Sequence, residues 1–109
     1  MTFLAVDSQK SLFTMQKSQL QIEQTLIMNR AQRVTKEMGY ITEANDGNPD
    51  WDCDEDPTYV ALQQQEEYLQ SRQDSLDSQI SILDNSISAM KTMVNNNIKS
   101  SCTLNLLGG

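Results

Sequence analysis

Residues 45–57 read Asn-Asp-Gly-Asn-Pro-Asp-Trp-Asp-Cys-Asp-Glu-Asp-Pro. The stretch holds both prolines, the only tryptophan and one of the two cysteines. Asp46, Asp50, Asp52, Asp54, Glu55 and Asp56 carry most of the chain's net charge of −7, with no basic residue among them. Gly47, Pro49 and Pro57 break any regular element. Asp56 followed by Pro57 is an N-cap and first-turn pair that opens a helix. The stretch therefore reads as a turn, and the fold follows from what flanks it.

Before the turn, Val6, Phe13, Leu20, Ile27, Val34 and Ile41 recur at an unbroken spacing of seven. Ala31 and Met38 widen that stripe. After the turn, Leu62, Leu69, Leu76, Leu83 and Met90 do the same. Tyr59, Ile80, Ile87 and Val94 fill complementary positions, where Glu66 and Gln73 are polar. A seven-residue apolar repeat on a 3.6-residue helix gives a seam that wraps against a partner helix. Reversing the chain about the turn sets Ile41 against Leu62, Val34 against Leu69, Ile27 against Leu76, Leu20 against Leu83 and Phe13 against Met90. One register serves all five layers.

The expected fold is all-α: an antiparallel two-helix coiled-coil hairpin forming a single domain, 1–109. Helix 1 is expected over about 7–44, with Asp7 or Ser8 as N-cap and Gly39 or Gly47 as the left-handed residue near its end. The turn takes 45–57 and helix 2 about 57–99. Residues 100–109 are expected to form a short irregular tail, and the Leu-Leu-Gly-Gly end is read as flexible.

A two-stripe seam is thin for 109 residues with six aromatics. A second stripe on helix 1, Leu12, Met15, Ile22 and Leu26, lies roughly 100° from the first. Tyr68, Ile82 and Met93 give helix 2 a weaker counterpart. These stripes call for further helices, through self-association into a larger helical bundle or docking on a helical protein partner. Leu12, Met15, Ile22 and Leu26 are the candidate interaction residues, and Trp51 joins them as a candidate contact in the turn. Trp51 also has a structural role open to it, closing the seam over Ile41 and Tyr59.

Asp46, Asn48, Asp50, Asp52 and Asp54 alternate between two helices, which invites comparison with a calcium-binding loop. Such a loop needs glycine at its sixth position and a bidentate glutamate at its twelfth. Counted from Asp46, these are Trp51 and Pro57. The five residues remain candidates only for a non-standard Ca²⁺ site, and no metal or cofactor is expected.

The chain has no histidine, which removes imidazole catalysis and His-containing zinc sites. Cys53 and Cys102 fall at opposite ends of the expected hairpin and have no basic partner for thiol catalysis. No nucleophile–base pair, phosphate-binding glycine loop or cofactor motif is present, so the expectation is a non-enzyme. The acidic balance without a basic stripe speaks against nucleic acid. No apolar run approaches the roughly 20 residues that span a bilayer. Met1–Asp7 lacks the basic and apolar regions of a Sec-type signal peptide.

In outline the chain resembles small secreted helical-hairpin proteins of bacteria. Asn48-Pro49-Asp50 and Asp56-Pro57 resemble the Pro/Asp-containing turn of type III secretion needle and rod subunits. Trp51 stands where WXG100-type proteins carry their mid-chain tryptophan, although Trp51-Asp52-Cys53 lacks their glycine. The resemblance implies an exported subunit that assembles through its helices. With the Sec-type signal absent, the expected compartment is the bacterial cytoplasm or, after export by another route, outside it. The leading expectation is a self-associating structural subunit. The alternatives are an adaptor or secretion chaperone that offers the acidic, Trp-containing turn to a basic partner, and a non-standard Ca²⁺-binding helix–loop–helix.

Overall fold

A computed structural model describes the backbone of residues 3–108 and the side chains of 4–96, 98 and 99. The chain is an all-α helical hairpin: α1 spans Phe3–Ala44, α2 spans Pro57–Gly108, and a 3₁₀ turn at Cys53–Glu55 lies between them. Its contacts gather into two units, Ile22–Asp77 and Met1–Gln21 with Ser78–Gly109.

Within 22–77 the two helices run antiparallel. The Thr35 hydroxyl oxygen lies 3.4 Å from a Glu66 carboxylate oxygen, and further from the turn the Gln24 amide donates to Asp77. Val34 and Leu69, one expected layer, are both buried, and Leu76 is buried beside them. Ile27, Ala31, Met38, Ile41 and Leu62 are half-buried. In the other unit Val6 and Val94 are buried, and Phe13, Leu20, Leu83 and Met90 are half-buried. In each unit the residues taken out of water are those of the seven-residue repeat. Hydroxyls that would compete with the helix backbone are absorbed by it: Thr14, Thr35, Thr42 and Thr92 each donate to the carbonyl four residues back, at 2.8–3.1 Å.

α1 ends where the sequence allows the chain to turn. The Asn45 side chain donates to the Ile41 carbonyl at 2.8 Å, which also accepts the Asn45 N–H at 3.2 Å. The Asn48 N–H then bonds the Asn45 carbonyl at 3.1 Å, a tight turn with Gly47 at φ 78°. That left-handed position favours glycine. Gly39, the other candidate, lies inside α1.

Two expectations are corrected. α1 is already helical at Phe3, the first described residue, so neither Asp7 nor Ser8 caps it. Val6 is the first buried member of the seam, and a helix that buries Val6 must begin before it. α2 does not stop near 99 but continues to Gly108, so 100–108 is helical rather than an irregular tail. Propagating a formed helix costs far less than nucleating one, and Leu104, Leu106 and Leu107 are strong helix formers. The Cys102 side chain lies outside the described residues.

Leu76 is 0 % exposed and Ile22 is 63 % exposed. Leu76→Ala should cost about 2–5 kcal/mol in chemical denaturation, and Ile22→Ala about 0.5 kcal/mol or less in the monomer; equal costs would contradict the seam. The two internal glycines should separate in sign. A Cβ at Gly39 or Gly47 meets nothing within 4 Å, so only the backbone decides. Gly39→Ala should stabilise by roughly 0.5–1 kcal/mol, whereas Gly47→Ala should destabilise by about 1 kcal/mol.

Candidate interaction site

The acidic turn is organised by its own side chains. Asn48 Oδ1 accepts from the Asp50 N–H at 3.1 Å, and Asp52 Oδ1 accepts from the Asp54 N–H at 3.0 Å, where it caps the 3₁₀ turn. Asp56 does most. One carboxylate oxygen accepts from the Thr58 and Tyr59 N–H groups at 3.0 and 3.2 Å, capping α2 as expected. The other accepts from the Trp51 indole N–H at 3.0 Å. The Trp51 ring meets Tyr59 edge-on, with centroids 5.8 Å apart at 87°. Trp51 is thus half-buried, held at one end by a charge and along its body by an aromatic ring. These donors, the indole first and then the backbone N–H groups of Tyr59 and Thr58, favour the ionised carboxylate. They hold Asp56 below the usual aspartate range against the opposing effect of desolvation.

Of the cation-site candidates, the structure brings Asp52 and Asp54 together with Cys53, their ligand atoms lying within 4.8 Å of one another. Asp46 and Asp50 are not in that group. The Asn48 oxygen and one oxygen of Asp52 already serve the turn's own backbone. Two exposed carboxylates and a thiol by themselves supply fewer oxygens than the six to eight that calcium takes.

The interaction residues of α1 are solvent-facing in both units. Leu12 and Met15 are 48 % and 57 % exposed in one, and Ile22 and Leu26 are both 63 % exposed in the other. In 22–77, Tyr68 on α2 is 66 % exposed. It borders a hollow of ≈ 250 Å³ with Leu26, Ile27 and Arg30. At its rim Arg72 donates twice to one Glu23 oxygen, at 3.1 Å from Nε and 2.6 Å from Nη2. That carboxylate raises the affinity of the guanidinium for its proton, so Arg72 stays cationic.

The sequence reading passed over the polar ties along the seam. Lys17 pairs with Asp84 at 2.5 Å in one unit. Glu23–Arg72, Gln24–Asp77 and Thr35–Glu66 cross between helices in the other. Lys10, Lys17 and Gln24 continue the row of Ala31 and Met38 at intervals of seven, and that spacing was the available signal. Arg30, Arg33 and Lys36 are exposed and make no ion pair among the described residues.

No family model, curated protein or solved structure matches the chain. Among the described residues no helix is long and apolar enough to cross a membrane.

The Asp56 contacts set a pH response. A carboxylate with a lowered folded-state pKa stabilises fully above its unfolded value, and that stability is lost as pH falls through the folded one. Acid titration followed by Trp51 fluorescence should show a step below the usual aspartate range. The step should vanish in Asp56→Asn and persist in Asp46→Asn. A step at the ordinary aspartate pH, or one that survives Asp56→Asn, would detach Trp51 from this carboxylate.

Proposed function

We propose that the chain is a non-enzymatic assembly subunit, a helical hairpin that self-associates through the apolar residues its own seam leaves in water. The observation that carries this reading is the exposure of Leu12, Met15, Ile22 and Leu26 on α1. All four are large and apolar, they recur at helical spacing, and they are more exposed than the half-buried seam residues beside them, Phe13, Leu20 and Ile27. Isolated apolar side chains on a surface are ordinary, whereas a stripe of them at helical spacing marks a contact face. The heptad pattern supports packing against further helices in the manner of a coiled coil or bundle. The resemblance to secreted hairpin subunits points to the same use.

The adaptor reading, in which the acidic turn grips a basic partner, has less behind it. The hollow beside Trp51, ≈ 370 Å³, is walled by Asp50, Asp52, Glu55 and Asp56 and has the charge for that role. Its tryptophan, however, already spends its N–H on Asp56 and its ring edge on Tyr59. An anchor so engaged has little left to offer a partner.

Light scattering coupled to size exclusion should find the full chain associated at micromolar concentration. Leu26→Gln combined with Met15→Gln should shift it toward monomer while circular dichroism stays helical. A folded wild-type chain that remains monomeric would overturn the assembly reading.

A further inference from the structure

Two flanks of the 22–77 hairpin differ in sign. At about 100° per residue, Glu23 and Arg30 fall on one side of the Ile27–Ala31 seam, and Met28 and Thr35 on the other. The first flank is the hollow of Leu26, Arg30, Tyr68 and Arg72, and Arg33, one heptad after Leu26, extends it. The flank carries three guanidinium groups against two carboxylates, Glu23, which Arg72 already engages, and Glu37, one heptad after Arg30. The second flank is a groove of ≈ 700 Å³ lined by Ala31, Thr35, Glu66, Glu67 and Asp74. No cation lines it; Lys36 borders the adjoining hollow with Met28 and Gln73.

We propose that these flanks are the two halves of one interface, the cationic flank of one copy of this chain seating in the acidic groove of the next. The inference rests on the assembly reading and names its surface and geometry. Charge argues for it first, since unlike potentials meet only when unlike flanks meet. Shape argues the same way. The cationic flank projects Leu26 and Tyr68, both about two-thirds exposed, while the acidic groove, with Ala31 in its lining, is the roomier at ≈ 700 against ≈ 250 Å³. The aliphatic and aromatic side chains enter over Ala31, and Arg30 and Arg33 meet the carboxylates at the rim. A two-fold contact is disfavoured, because it would set Glu66, Glu67 and Asp74 against their own copies. Pairing is therefore heterologous: each copy uses a different face toward each neighbour, and the assembly closes as a ring or grows as an open chain.

Charge exchange in the full-length chain tests this. Arg30 and Glu67 are exposed on opposite flanks with no ion pair among the described residues, so neither change should disturb the hairpin, and circular dichroism checks that. By sedimentation at low salt, Arg30→Glu and Glu67→Lys should each raise the self-dissociation constant about tenfold or more. Mixing the two variants should restore association, and so should the double variant. Self-association that is untouched by either substitution, or lost in both and rescued by neither the mixture nor the double variant, would overturn the flank pairing and leave the assembly reading standing. A wild-type chain that stays monomeric would overturn both and leave the two flanks to some other protein.

Discussion

The heptad-spaced burial of one narrow seam is the constraint on which the other features depend. A helix pair can remove only the facing stripe of each helix from water. Among the described residues the buried members are all aliphatic: Val34, Leu69 and Leu76 in one unit, Val6 and Val94 in the other. Everything else on the helices is left partly or wholly in solvent. The next layer outward is accordingly polar, and the ties across it, Lys17 to Asp84, Gln24 to Asp77 and Glu23 to Arg72, use long side chains that reach over the seam. Solvated pairs of this kind add little stability. They do fix which residues stand opposite one another, and therefore which charges collect on each flank.

The turn solves a different problem. It must reverse the chain and satisfy the open ends of two helices within a dozen residues. Asn45 and Gly47 finish α1, and Asp56 starts α2. Asp56 also reaches back to Trp51, so the cap and the aromatic pair with Tyr59 form one unit. Acidic side chains suit this work because a carboxylate at a helix start accepts N–H bonds and meets the positive end of the helix dipole. Some of the residues that look like a ligand set in the sequence, Asn48 and Asp52 among them, are therefore bonded to local backbone instead.

The hairpin was legible because its signals are local and periodic. The unbroken sevens from Val6 to Ile41 and from Leu62 to Met90 specify the seam, and Asp56-Pro57 specifies where α2 begins. Helix ends without such markers were not legible. Nothing ahead of Asp7 announces that α1 is already helical there, and the Asn-Ser-Cys-Thr composition after Val94 hides the continuation of α2, since weak propensities add little penalty once a helix is growing. The exposure of Leu12, Met15, Ile22 and Leu26 followed from their angle to the seam. The Glu23–Arg72 pair did not, because a cross-helix contact depends on register and on rotamers that no single-chain periodicity encodes. The tie between Trp51 and Asp56 escaped for a related reason: five residues apart in an irregular segment, they meet only through the path of the 3₁₀ turn.

The chain's negative charge bears on how such hairpins would associate. Six of its carboxylates are concentrated in 46–56, so two copies brought together through their turns face like charge at close range, with only Debye screening between them. End-on contact through the turn is then the least favourable approach. Contact along the flanks escapes that repulsion, because the cations that could answer an acidic surface, Arg30, Arg33 and Arg72, lie along the helices and not in the turn. The proposed flank pairing and the acidic turn thus have complementary effects. One supplies attraction along the helices, and the other disfavours contact through the turns.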